Sequence, residues 1–409
     1  MKLFLKTSPW FFALLLPAAL LAQDEPRAGR VTPKELSIPA APIFDLMGVT
    51  PSQITRTSDI KDFKVDWSFK SWRLNPNLAI QSQPVWELLY NRKDLSKYQR
   101  ASGFMRRLAS LDISVGTVQN EDEDRRIGGA AKLNLIKGSD PLLAKELYTD
   151  LSEKYKTEKA DLESQLKDLE NQLDSTTDIL KKPAIRGQIL STEEQLLSIN
   201  SRRNAEINER AAIFVAENWN AGWLDIAAGK VNTFATDSAG SLLKLRLNRN
   251  TAWSFWMNGG FPLGKRLLVS ALLRSSVYEE QVDFLLRDKS SGEESSQQAV
   301  ADNELWSLGM NIRYGGSIYT FFAEFLYERR GIKTPVAALQ EVFQLPGDNF
   351  EIVSSSVKWT TLHPFTINFG GDWRISRNAI LNYGMRCVFD DNWKFQTFIP
   401  VATISCMMR

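Results

Sequence analysis

The chain has 409 residues with 50 Lys and Arg against 48 Asp and Glu, a formal net charge of +2, so no strong basic field argues for nucleic acid. Two cysteines and one histidine are too few for a metal cluster or a disulfide framework, and nothing calls for a cofactor. Mean hydropathy is slightly negative, and beyond the first 22 residues no apolar run approaches a membrane-spanning helix.

Residues 1–22 read as a secretory signal: Lys2 and Lys6 precede the apolar run Trp10–Leu16, and cleavage is expected near Ala22. No cysteine lies nearby to carry a lipid anchor. Residues 23–61 are rich in Pro, Ser, Thr and charge. Within them Ala41–Ser52 is apolar but too short to span a bilayer. It fits a plug in a barrel mouth, a segment lying on a periplasmic rim, or a disordered linker, and the residues leave these open.

From there the chain alternates with period two, the signature of strands with one apolar and one polar face. Phe63, Val65, Trp67 and Phe69 alternate with Lys64, Asp66, Ser68 and Lys70. A turn is expected at Asn75-Pro76-Asn77, then a second strand from Leu78 to about Gln83, stopped by Pro84. Strands follow over Leu108–Val118 and Ile127–Ile136. After a helical insertion they resume at Trp223–Val231, Thr251–Asn258 and Leu267–Ser275.

The clearest stretch runs from Glu304 to Arg330. Trp306, Leu308, Met310, Ile312 and Tyr314 alternate with polar residues or glycine, Gly315-Gly316-Ser317 turns the chain, and Tyr319–Tyr327 repeats the pattern. Three more strands follow at Phe365–Arg374, Ala379–Val388 and Lys394–Ile404. About ten alternating residues per strand with aromatics near both ends is longer than sandwich strands run. The expected fold is therefore an all-β transmembrane antiparallel barrel of about twelve strands, an even number, in the outer membrane and in contact with its lipid.

On these strands, and on the segments Ile43–Phe63 and Gly370-Gly371-Asp372-Trp373-Arg374-Ile375-Ser376, the chain resembles porin-like outer-membrane barrels of Bacteroidetes-type Gram-negative bacteria. The resemblance implies location and architecture, not substrate. Many such barrels end in an aromatic residue, whereas this chain ends Cys406-Met407-Met408-Arg409.

The insertion is expected to be an α-helical coiled-coil hairpin over residues 139–214. Ser139-Asp140-Pro141 marks its start, with Asp140 as cap. Leu151, Tyr155, Leu162, Leu166, Leu169 and Leu173 form one stripe, Asp174–Lys182 and Pro183 break it, and Ile185, Ile189, Leu196, Ile199 and Ile207 continue it. Gly187 and the possible capping box at Ser191 leave the start of the second arm open. Barrel strands then occupy 62–138 and 215–409.

With short turns at 259–266, 315–317 and 376–378 on the periplasmic side, strand parity places the hairpin in the periplasm. It could then dock a periplasmic protein or the cell wall through residues 140–210, or pack on the barrel as a decoration. A further strand at Glu351–Thr361 would reverse that side, and Pro84–Arg107 breaks the short-turn rule.

Gly259–Lys265 matches G-x-x-x-x-G-K, but Arg266 and a strand follow where a phosphate loop needs Ser or Thr and a helix, so a hairpin turn is expected. His363 has no serine in a nucleophile turn beside it, and no enzymatic role is expected. With a turn at Asp390-Asp391, Cys387 falls opposite about Lys394 and far from Cys406, which predicts two free thiols. The polar faces carry Lys64, Asp66, Lys70, Asp112, Lys132, Arg274, Arg313, Glu324, Asp372, Arg374 and Arg386 as candidate lumen-lining residues. They would line a pore for small solutes, with a basic excess that favours anions, or pair and close it. The alternative function is a structural anchor whose coiled-coil arm does the work.

Overall fold

The computed structural model describes residues 41–54, 64–70, 73–90, 95–119, 124–140, 143–144, 149–236, 242–248, 250–332, 334, 350–356, 361–376 and 379–407. Residues 1–22, expected above to be a secretory signal, and residues 23–40 lie outside this set. Fourteen strands form in chain order: β1 (Lys64–Lys70), β2 (Arg73–Ser82), β3 (Asp112–Gln119), β4 (Arg125–Lys137), β5 (Trp223–Thr236), β6 (Leu242–Arg246), β7 (Ala252–Leu263), β8 (Leu267–Asp288), β9 (Glu294–Gly315), β10 (Tyr319–Ile332), β11 (Phe350–Ser355), β12 (Phe365–Ser376), β13 (Ala379–Phe389) and β14 (Phe395–Met407).

Twelve of them close a ring. Each antiparallel pair runs to the next until β1 meets β14, with Val65 opposite Cys406 and Trp67 opposite Ile404. The two short strands stand outside it: β6 pairs with the end of β5, and β11 pairs with β8 beyond the wall. The segment around residue 351 is thus a strand, but one that leaves the parity of the ring unchanged.

Alternation sets the two faces. Trp306, Leu308, Met310, Ile312 and Tyr314 on β9 are exposed, as are Tyr319, Phe321, Phe325 and Tyr327 on β10. Between them Ser307, Asn311, Arg313, Thr320 and Glu324 are buried. Apolar residues turned outward and polar residues turned inward are the reverse of a water-soluble domain and the arrangement lipid demands. The chain is an outer-membrane β-barrel.

The ends of the barrel differ. At one lie the C-terminal end of β14, the short turns after β7, β9 and β12 and, among the described residues, the helices outside the lumen. At the other, β8 and β9 continue as a hairpin past their neighbours, since β7 pairs with β8 only as far as Tyr278.

The structure corrects the sequence reading at several boundaries. Asn75-Pro76-Asn77 is not a turn but part of β2, whose pairing with β1 is irregular between Ser68 and Lys70. Leu108 belongs to a helix, not a strand. The long connection before β3 folds into helices α2 (Pro84–Leu89), α3 (Leu95–Arg100) and α4 (Gly103–Ala109), which explains its length. Trp86, Tyr90, Tyr98 and Ala109 form their small core, with three ring contacts of 5.4–5.6 Å. β7 continues to Leu263, so Gly259 and Gly260 are strand residues and only 264–266 turn the chain.

The inserted hairpin comprises α5 (Thr149–Ser175) and α6 (Lys182–Glu217). Asp140 does not begin it. Its carboxylate instead accepts a hydrogen bond from Tyr98 Oη at 2.8 Å and pairs with Lys137 at 3.6 Å. The second arm runs through Gly187 and Ser191 without a break. Leu151, Tyr155 and Leu162 pack on Ile199 and Ile207 across the seam, an antiparallel match. Arg202–Glu158 at 2.7 Å and Lys154–Glu206 at 2.8 Å flank it.

Cys387 faces Phe398 rather than the neighbourhood of Lys394, because the last hairpin turns through five residues, Asp390 to Lys394, not two. Trp393 takes positive φ there. Cys406 faces Ala379 at the opposite end of that hairpin, and both thiols are free. His363 accepts or donates a 2.5 Å hydrogen bond with Tyr327 Oη, outside any nucleophile arrangement.

Candidate functional site: a lumen filled by the N-terminal segment

The apolar stretch at residues 41–54 lies inside the barrel. It forms a short helix, α1 (Pro42–Met47), started by proline at its first position and ended by Gly48 in the left-handed region. Ala41, Ile43, Phe44, Met47, Val49 and Ile54 are almost wholly buried against Ala79, Val118, Ala130, Val231, Trp256, Leu272 and Leu326 of the wall. The segment thus occupies the lumen, the position a plug would take.

The wall is shaped for it. Gly116, Gly128, Gly229, Gly309 and Gly384 all sit at inward positions of their strands. A Cβ on Gly116 would lie 3.0 Å from Ile43 Cγ2, one on Gly229 2.8 Å from Leu46 Cδ2, one on Gly309 3.1 Å from Ile54 Cδ1 and one on Gly384 3.1 Å from Pro51 Cβ. Plug side chains occupy the volume that wall side chains would otherwise fill.

Polar wall groups bind the plug backbone, as buried amides and carbonyls require. Glu324 is the centre of this network. Its carboxylate accepts from Ser52 Oγ (2.6 Å), Gln53 N (2.9 Å), Ile54 N (3.0 Å), Asn311 Nδ2 (3.1 Å) and Asn368 Nδ2 (2.7 Å). At the other end of the segment, Ala41 N donates to Asp66 Oδ2 at 2.5 Å and Ile43 N to Ser114 Oγ at 3.1 Å. Arg386 donates to the carbonyls of Gly48 (3.0 Å) and Thr50 (2.9 Å), and Arg126 to that of Met47 (3.2 Å).

Of the candidate lumen residues, the structure brings Asp66, Arg274, Glu324 and Arg386 directly onto the plug; Arg274 donates to Gln53 Oε1 at 3.1 Å. The others serve the wall. Asp112 lies across from Lys132 in the β3–β4 register, and Lys132 approaches Asp225 at 3.9 Å. Arg313 is bonded to Asp372, which also accepts from Thr320 Oγ1 at 3.0 Å. Arg374 is half-buried near the turn end of β12. Lys64 and Lys70 lie on β1, with side chains outside the described residues. Sequence reasoning missed Arg126 and the glycines. Small residues recurring at inward positions were the available signal that something else fills the lumen.

Beyond the plug, toward the long-hairpin end, a cavity of about 440 Å³ remains. Arg126, Arg274, Arg330 and Arg386 line it, together with Glu328, Asp390 and Asp391. Glu328 is engaged by Arg330 at 2.5 Å, and Asp390 accepts from the amides of Asn392 and Lys394 and from Gln396 Nε2. Among the described residues, no three His, Cys, Asp or Glu side chains gather as a metal site.

No family model matches the chain, and no curated protein matches it. Solved structures similar to it include a NanC porin at TM-score 0.30 and 7% identity, covering 85% of this chain and 99% of that one. The outer membrane protein Omp33 of Acinetobacter baumannii follows at TM-score 0.27 and 8% identity, covering 85% and 98%. The outer-membrane OmpT of Vibrio cholerae stands at TM-score 0.24 and 6% identity, covering 84% and 96%. Similarities this slight carry no argument of their own, and the architecture rests on the closed register: a twelve-stranded outer-membrane β-barrel with a helical insertion and a filled lumen.

Proposed function

We propose that the protein is a porin-like channel for small solutes, closed in this conformation by residues 41–54 and favouring anions when open. The observation that carries this reading is the manner of the filling. The plug belongs to the N-terminal arm rather than to a strand, so it can leave the lumen without any loss of wall pairing. Wall side chains in a permanently packed barrel would have no such freedom.

The anion preference rests on Arg126, Arg274 and Arg386, which hold plug atoms and would face water once the plug departs. That long loops lie outside and short turns inside in barrels of this kind supports a cavity that faces outward and an α5–α6 hairpin on the periplasmic side. The narrower affinity to Bacteroidetes-type barrels rests on the two sequence segments alone.

The test is the reversal potential of a chain lacking residues 23–61, reconstituted in a planar bilayer under a KCl gradient. A current that reverses on the chloride side is expected. Cation preference would contradict the anion assignment, and no current at all would contradict the channel.

A further inference from the structure

We infer that the 440 Å³ cavity is a binding site for a small multivalent oxyanion, and that its occupant loosens the plug, because the same arginines serve both. This rests on the channel reading above and adds the ligand class and the gating.

Arginine forks match carboxylate and phosphate oxygens in two-point contacts, so their convergence on a cavity of this size specifies an oxyanion. Arg274 is the strongest pointer. It is 94% buried, and Nε and Nη2 find no partner among the described residues. Its only hydrogen bond goes to a neutral amide oxygen, Gln53 Oε1, and its guanidinium lies 5.9 Å from the Trp256 ring centre. Arg386 likewise binds only neutral carbonyls, those of Gly48 and Thr50, and leaves Nε unpartnered. Among the described residues neither makes an ion pair. Asp45, Glu324 and Glu328 act on Arg274, and Glu324 and Glu328 on Arg386, only through space, so both buried cations keep N–H groups that a charged acceptor in the cavity would fill.

The coupling follows from the geometry. An oxyanion reaching Arg126, Arg274 and Arg386 from the cavity competes with Met47, Gly48, Thr50 and Gln53 for their N–H groups. It therefore weakens the plug on its outward side. The inward anchors at Asp66, Ser114 and Glu324 are acceptors that hold both ends of the segment and stay engaged, so the occupant loosens its outward bend at residues 47–50 first. The carboxylates of Glu328, Asp390 and Asp391 also line the cavity, but the first is paired to Arg330 and the second caps its own turn.

The experiment uses the full chain in a planar bilayer, with citrate added to one side at constant ionic strength and sorbitol as a neutral control. Citrate on the long-hairpin side should raise open probability at least tenfold and saturate, while sorbitol should not. R274Q, checked for folding by its heat-modifiable gel mobility, should lose the saturable response. R386Q should open more without citrate and respond less. The chain lacking residues 23–61 separates the two levels. If it conducts but citrate leaves the full chain closed, or acts equally on R274Q, the coupling is wrong and the channel stands. If it is silent, the channel reading falls and takes this inference with it.

Discussion

Glu324 is the side chain on which the proposed gate depends most. A carboxylate with five donors around it, three from the plug, is fully satisfied only while Ser52, Gln53 and Ile54 stay in place. Replacing it with alanine leaves the Gln53 amide in the packed lumen without an acceptor, while the Ser52 hydroxyl and the Ile54 amide keep only their bonds to the Ile54 carbonyl (3.1 Å) and Ser52 Oγ (3.3 Å). At about 1–3 kcal/mol for a buried unsatisfied group, docking should weaken by roughly 1–3 kcal/mol. E324A should therefore conduct intermittently where the natural chain is closed, as single-channel records would reveal; a closed E324A would remove Glu324 from the gate. Gly309 offers the complementary test by volume. The three atoms nearest to a Cβ there are side-chain atoms, those of Leu326, Ile54 and Leu272. G309L should displace Ile54 and raise conductance while the folded gel band persists. Loss of the barrel itself would mean that the wall, not the plug, yields.

The α5–α6 hairpin is held by contacts between its own two helices. The Lys154 ammonium and the Tyr155 hydroxyl from across the α5–α6 seam, with Arg210 one turn along the same helix, hold the Glu206 carboxyl at about 2, below the ordinary 4.5. A depressed carboxyl stabilises the folded hairpin fully above its ordinary value, and that contribution is lost as pH falls through 4.5 toward 2. Pepsin should cut E206Q within residues 149–217 faster than the natural chain at pH 4.5, and the difference should vanish near pH 2. A constant difference across that range would deny Glu206 this role. Because the seam is satisfied by its own partner helix, removing residues 140–210 should leave the conductance of a plug-free chain unchanged. A lost conductance would make the hairpin part of the pore.

At the scale of the molecule, the twelve wall strands were legible because lipid outside and polar groups inside impose alternation residue by residue. What alternation does not encode stayed hidden. β2 contains a proline that local rules read as a turn, and cross-strand pairing with β1 overrides them. The outer half of the β8–β9 hairpin is rich in Ser, Glu and Gln, so its strand character comes from pairing rather than from an apolar face. The plug was visible only as an apolar island of no fixed address, because its partners are spread over nearly the whole chain: Asp66 is 25 residues from Ala41, and Glu324 is 272 from Ser52. Burying Ile43, Phe44, Met47, Val49 and Ile54 offers on the order of 10 kcal/mol, which ordering fourteen residues largely offsets, so their polar anchors decide whether the lumen is shut.

The central claim is that the N-terminal arm closes an otherwise open barrel. Its most direct test is single-channel conductance of the full chain beside the same chain without residues 23–61, at equal amounts of folded protein. A silent full chain and a steadily conducting truncation are the predicted pair. Equal conductance from both, or silence from both, would contradict the account.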